Sequence, residues 1–350
     1  MKKQIMAAAL AGLVSMSLAA CGTNGSGTET TSAPADTGSA ASSDDYNLTV
    51  KDTNGDGLIT VGVAQVGAES GWRIANTQSY KDTFVQANGF QLVFEDANQD
   101  SDMQKQQVRD LISQGVEVIV LDPVTDSGWE PVLQEAKDAG IPVINADRQL
   151  AAPDNLYMAF LGSDMLAEGQ RATAWLQQYI KDNNITGEVD IAHLQGTIGA
   201  TAQVGRSQAL TDALAANPDW KVVWEQGGDF NQQTGQQVFQ AFLQQNQSFK
   251  VLYSENDDMT YGAIDAMTAA GLDPKDYIII SFDGNKKAVQ MVIDGTINII
   301  GQCNPLIGPQ IGDLIKASLA GQQVNKNNVS DEILITPDNA QQQLLTAFGS

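Results

Sequence analysis

The sequence predicts an α/β protein of two doubly wound, Rossmann-like parallel-sheet domains, and three observations carry that prediction. Short apolar, β-branched runs alternate with longer helical patterns along most of the chain. The runs are nearly continuous in their apolar character, as strands buried on both faces are. They are also too numerous for one tidy sheet, which places a division of the chain near Phe160 to Ser163.

In the first half, strands are expected at Ile59–Ala64, Gln91–Glu95, Val116–Leu121, Pro142–Ala146 and Leu156–Leu161. The second half supplies Val189–Leu194, Lys221–Trp224, Lys250–Tyr253, Tyr277–Phe282 and Ile297–Gln302, with helices between most of them. Gly115 and Gly140 read as helix C-caps that return the chain to the sheet.

Ahead of the first strand lies a short leader. Lys2-Lys3 form a basic start, Ile5 to Leu18 an apolar run too short for a permanent membrane span, and Ala19-Ala20 the small residues of a peptidase site. Cys21 follows at once. From Gly22 to about Asp45 the chain is polar and small, with almost nothing to bury, and reads as a disordered tether. The segment Asp52-Thr53-Asn54-Gly55-Asp56-Gly57-Leu58-Ile59 has the opening of a calcium loop, but Val63 stands where a bidentate Glu belongs. A polar turn leading into the first strand is the better reading.

Composition excludes several functions. Net charge is -23 at pH 7, which would repel nucleic acid and anionic lipid over the whole surface. With Cys21 used elsewhere, Cys303 is left without a partner for an intrachain disulfide. The single histidine, His193, lies in an alternating strand and reads as a packed or hydrogen-bonded residue; one histidine cannot build a His-based zinc site. Nucleophile-elbow, Walker and dinucleotide-binding motifs are absent, and neither cofactor nor metal is expected.

Ligands of open parallel sheets bind beyond the carboxyl ends of the strands. Those positions hold Gln65 and Glu69-Ser70-Gly71-Trp72-Arg73 after the first strand and Asp147-Arg148 after the fourth. Gln195, Asn256-Asp257-Asp258, Asp283-Gly284 and Gln302 occupy the corresponding places in the second half. Asp258 and Ser101 read as helix caps. The remainder combines carboxylates, amides, guanidiniums and rings, the groups that suit a monosaccharide's vicinal hydroxyls and C–H faces. Asp147 and Asp283 would accept from hydroxyls, Arg148 and Arg206 would donate, and Asn256 and Gln302 would do both. Trp72 and Phe230 would cover the two ring faces.

These segments resemble the type I periplasmic-binding-protein family, in its ribose and galactofuranose receptor branch. The similarity runs from about Leu58 to the end of the chain. It is carried by the segments Gln65 to Arg73, Asp122 to Arg148, Leu194 to Arg206, Gly227 to Phe230, Glu255 to Met267 and Phe282 to Gly284. The Glu69 to Arg73 stretch is more similar to the galactofuranose receptor. Cys21 resembles the lipobox cysteine of bacterial lipoproteins, which carries two acyl chains and anchors the protein stably.

The resemblance implies sugar contacts at Asp147, Arg148, Arg206, Phe230, Asn256, Asp283 and Gln302, with Trp72 and Arg73 in place of first-loop aromatics. Gln65, Glu69 and Ser70 lie near enough to join them. Trp129 has two open readings, facing the cleft or packing on the preceding helix. The implied organisation is a signal peptide over residues 1–20, a lipidated cysteine and flexible linker over 21–57, and two lobes. Residues 58–160 plus 303–332 form the first lobe and 161–302 plus 333–350 the second, joined by a three-crossing hinge.

The implied function is that of a monomeric, lipid-anchored solute-binding protein on the extracytoplasmic face of the cell membrane. It would deliver a monosaccharide, in furanose form, to an ABC permease with a cytoplasmic ATPase. Fructose, ribose, galactofuranose and arabinose are the candidates, with a pyranose as the alternative. A receptor reporting to a membrane sensor and a lipid-anchored glycosidase are the rival readings. A transcription regulator sharing the fold is opposed by the export signal and by the lack of a helix-turn-helix.

Overall fold

The computed structural model describes residues 46–349; the expectations placed on the signal peptide, on Cys21 and on the tether up to Asp45 lie outside them. Among the described residues, twelve strands form two six-stranded sheets. The first holds β1 (Ile59–Gln65), β2 (Phe90–Asp96), β3 (Val118–Leu121), β4 (Val143–Asp147), β5 (Ala159–Gly162) and β11 (Asn327–Val329), in the order β11-β5-β4-β3-β1-β2. The second holds β6 (Val189–Gln195), β7 (Trp220–Gly227), β8 (Val251–Ser254), β9 (Ile278–Asp283), β10 (Ile299–Gln302) and β12 (Leu334–Ile335), in the order β12-β10-β9-β8-β6-β7. The two orders correspond strand for strand, so the lobes repeat one topology. Every strand pair is parallel except β10 with β12.

Helices cover the sheets. In the first lobe α1 (Gly71–Thr83), α2 (Ser101–Gln114), α3 (Glu130–Asp138) and α9 (Gly308–Leu319) do so, with α9 packed on α1. The second lobe has α4 (Met165–Asp182), α5 (Thr201–Ala216), α6 (Gln232–Leu243), α7 (Asp257–Ala269), α8 (Lys286–Ile293) and α10 (Ala340–Gln343). Central strands β3, β8 and β9 are buried along their whole length, the physical reason they read as unbroken apolar runs. Gly115 caps α2 with a left-handed φ of 72°, which closes the helix without a Cβ clash.

Three expectations are corrected. The short strands β11 and β12 were not anticipated, because three largely polar residues and two apolar ones carry no periodic signal. The caps of α2 and α7 are Asp100 and Asn256, so Ser101 and Asp258 already lie within the helices. Lastly, the linker does not extend to residue 57. Val50 is buried in the first-lobe core and its N–H donates to Ser318 Oγ, while Tyr46 Oη accepts from the Val143 N–H. Tyr46 and Val50 offer enough apolar surface to dock where the preceding tract offers none.

The acidic turn before β1 is held by its own backbone. Asp52 accepts from the N–H groups of Gly55 and Gly57, Asn54 from Asp56, and Asp56 from Leu58. His193, on β6, is buried between Glu225 at 2.8 Å and Glu255 at 2.9 Å. Burial alone would push the imidazolium's pKa down, but the two carboxylates carry it up to about 9.

The chain passes between the sheets three times: from β5 to β6, from β10 to β11, and from β11 to β12. Both strand ends and crossings therefore meet at one cleft.

Candidate functional site

On the first-lobe wall, α1 begins directly after the β1 loop and turns Arg73 inward. Ser70 caps the helix by accepting from the Arg73 N–H at 3.1 Å. The guanidinium donates from Nε to Glu69 Oε1 at 3.1 Å and from Nη2 to Asp147 Oδ2 at 2.5 Å, with Asp122 Oδ2 at 3.5 Å. Arg148 donates to the Val124 carbonyl at 3.0 Å and lies 3.4 Å from Glu69 Oε1. All five charged side chains are buried. Burial, only partly offset by Arg73, pushes Asp122 up to about 7, and burial followed by the neighbouring Arg73 charge pushes Arg148 down.

The second-lobe wall repeats this arrangement with other residues. Arg206 on α5 pairs with Glu168 Oε2, through Nε at 2.9 Å and Nη2 at 2.8 Å, and lies 3.7 Å from Asp283 Oδ1. It also donates to the Glu255 carbonyl. Burial drives the Asp283 carboxyl well above the usual carboxylate range despite Arg206. Asp257, at the start of α7, accepts from Ser281 Oγ and from the N–H groups of Gly284 and Asn285, and so fixes the turn that carries Asp283.

Asp147 ends β4 and Asp283 ends β9, equivalent strands of the two lobes. Both hold positive φ, 59° and 105°, as does Phe230 at 56°. Non-glycine residues adopt this region at a cost, and its recurrence at matching strand ends makes the cleft the candidate site. Phe230 lies against Gly196, where an added Cβ would fall 1.9 Å from the ring, so only glycine leaves room for it there.

Glu69, Ser70, Trp72, Arg73, Asp147, Arg148, Arg206, Phe230, Asn256 and Asp283 together line a narrow cavity of about 30 Å³ between the lobes. Contacts that need no ligand also bridge the cleft. Asp258 Oδ2 accepts from the Gly71 N–H at 3.0 Å, Asn231 Nδ2 donates to the Glu69 carbonyl at 3.3 Å, and Trp72 Nε1 donates to the Cys303 carbonyl at 2.9 Å.

The profile of the family described as "Periplasmic binding protein domain" matches residues 61–323. The chain belongs to the periplasmic binding protein family. The galactofuranose-binding protein of Escherichia coli (strain K12) is 35% identical over 292 residues, covering 82% of this chain and 90% of that protein. A Mycobacterium smegmatis structure in complex with β-D-fucofuranose is 39% identical with a TM-score of 0.78, covering 83% and 97% of the two chains. The binding protein of the arabinose ABC transporter from Shewanella sp. ANA-3, bound to α- and β-L-arabinofuranose, is 36% identical with a TM-score of 0.76, covering 82% and 95%.

Two expected contacts of this periplasmic binding protein do not reach the cavity. Gln65 is fully buried inside the first lobe, donating to Asn76 and Thr77 and accepting from the Val66 N–H. Gln302 Oε1 accepts from the Ile333 N–H and holds the crossing before β12. Trp129 is fully buried, its Nε1 donating to the Thr125 carbonyl, and packs with the core beneath α3.

Sequence reading missed Met165, Ala202 and Cys303, which line the cavity, and Asp122 and Glu168, which hold its charged groups. Asp122 was findable, since it directly follows β3 as Asp283 ends β9. Met165, Ala202 and Glu168 lie on helices whose orientation no local pattern reveals.

Proposed function

We propose that this chain is the solute-binding component of an ABC-type monosaccharide importer, holding a sugar in furanose form between its lobes and presenting it to a permease. One observation carries the reading. The three guanidiniums in the cleft all lie against carboxylates, Arg73 against Glu69, Asp122 and Asp147, Arg148 against Glu69 and Asp147, and Arg206 against Glu168 and Asp283, so the cavity suits a neutral polyol better than an anion. Glu69 Oε2 is buried without a hydrogen-bond partner, an acceptor suited to a ligand hydroxyl.

Trp72 and Phe230 in the cavity lining supply apolar faces for a sugar ring. The relatives whose structures hold fucofuranose and arabinofuranose support the furanose form. Anchoring through a diacylated Cys21 and monomeric, extracytoplasmic action complete the proposal. Closure follows because a ligand touching both walls favours the arrangement in which the walls meet.

A thermal-shift screen over monosaccharides tests it. A cognate sugar at a hundred times its dissociation constant adds about 2.7 kcal/mol, a rise of roughly 4 °C. Fructose, ribose, arabinose and galactose, each with a furanose fraction in solution, are expected to contain the ligand; no shift with any sugar refutes the reading.

A further inference from the structure

A pair of buried carboxyls lies where the crossings between the lobes meet, outside the cavity lining. Glu332, between β11 and β12, accepts through Oε1 from Ser163 Oγ at 2.7 Å and from the Asn304 N–H at 2.8 Å. Ser163 follows β5 and Asn304 follows β10, so one carboxyl ties all three crossings. Its other oxygen, Oε2, is buried without a partner, and so is Oε1 of Glu168. Carboxyl oxygens of the two glutamates and Cys303 Sγ lie within 4.8 Å of one another.

Two desolvated carboxylates at this range cannot both ionise at little cost, whereas one proton between them makes an acid–carboxylate hydrogen bond. The groups facing the pair are Arg206 from α5, Arg171 from α4, Cys303 after β10 and Asp283 at the end of β9. Arg206 already serves Glu168, and Asp283 adds acidity beside it. Burial, then the charge of Glu168, pushes Glu332 up to about 8; burial pushes Glu168 up against the pull of Arg206.

We propose that Glu168 and Glu332 share one proton at the lobe crossings, and that Glu168, as the positioning residue of Arg206, couples closure of the cleft to that proton. Opening the lobes turns the chain at these crossings and admits water to a proton held by desolvation. The closed form therefore binds the proton more tightly than the open one. For a carboxyl raised in the folded state, the stabilisation is complete below the unfolded value and is lost as pH rises through about 8. The shared proton stands on the geometry alone, whereas its coupling to a sugar rests on the proposed function.

Glu332→Gln tests the pair in the full chain. The amide oxygen can still accept from Ser163 and Asn304 while its NH₂ donates to Glu168, which mimics the protonated acid. Without sugar, wild type is expected to lose stability progressively relative to E332Q between about pH 5 and 8, and the gap between them to stop changing above about pH 9. His193 is common to both and cancels in the difference. E168Q, which removes the rival charge, flattens the same window although it melts lower throughout.

With the sugar found by screening, the wild-type dissociation constant rises with pH in this window, by at most about tenfold per unit for one proton, and that of E332Q stays flat. Parallel melting curves for wild type and E332Q would overturn the shared proton. So would a melting rise with Zn²⁺ alone that E332Q abolishes, since the pair would then be a cation site. If the window flattens but no sugar binds, the proposed function fails and the shared proton stands; if sugar binds and the curves run parallel, the reverse holds.

Discussion

Arg73→Met is expected to lower folding stability by about 3–5 kcal/mol and to abolish the thermal shift given by sugar. The guanidinium is the common partner of Glu69, Asp122 and Asp147, all buried. Met fills much of the stem's volume but leaves three carboxyls with only Arg148 near them, 3.4 Å from Glu69 and 3.7 Å from Asp147. An uncompensated buried charge, rather than a lost contact, dominates the cost. Arg73→Lys should recover little, because a point ammonium cannot meet carboxylates before α1, after β3 and at the end of β4 in one fork. Urea denaturation measures the effect; a loss under about 1 kcal/mol would show that the cluster neutralises itself by protonation instead.

His193→Gln is expected to cost about 3 kcal/mol at neutral pH and almost nothing at high pH. In wild type the imidazolium joins Glu255 on one side and Glu225 on the other. Its folded pKa, up to about 9, lies above the ordinary value of 6.5. The raised value sets the sign: the stabilisation is complete below about pH 6.5 and disappears as pH rises through about 9. Denaturation midpoints across this range should show the wild type descending toward the variant. A constant difference between the two would mean that His193 is neutral throughout and held only by ordinary hydrogen bonds. Glu225 is half exposed, so added salt should trim its share of the effect while leaving that of buried Glu255.

Much of the architecture was legible because β3, β8 and β9 are buried on both faces and can be written in few residue types. The crossings were less so. Asn327–Val329 is exposed and polar enough to pass for a loop, and its place in the sheet comes from pairing with β5. At the cleft, strand ends gave Asp147, Arg148, Asn256 and Asp283, since the parallel fold sends those positions to one edge. Gln65 failed the same rule because its side chain turns back into the lobe to meet Asn76. Asp258 was misread for a related reason: its chain position says helix start, while its partner, Gly71, is 187 residues away.

The contacts of Asp258 with Gly71, Asn231 with Glu69 and Trp72 with the Cys303 carbonyl have a thermodynamic consequence. They set how much of the sugar-free population already has its lobes together, and apparent affinity scales with that fraction. Asp258→Ala should then weaken binding of every accepted sugar by one common factor and leave their order of preference untouched. Titrations of two sugars against this variant would show it, and unequal factors would place Asp258 in recognition itself. At Asp258, strength is thereby set apart from selectivity and is free to change independently of it.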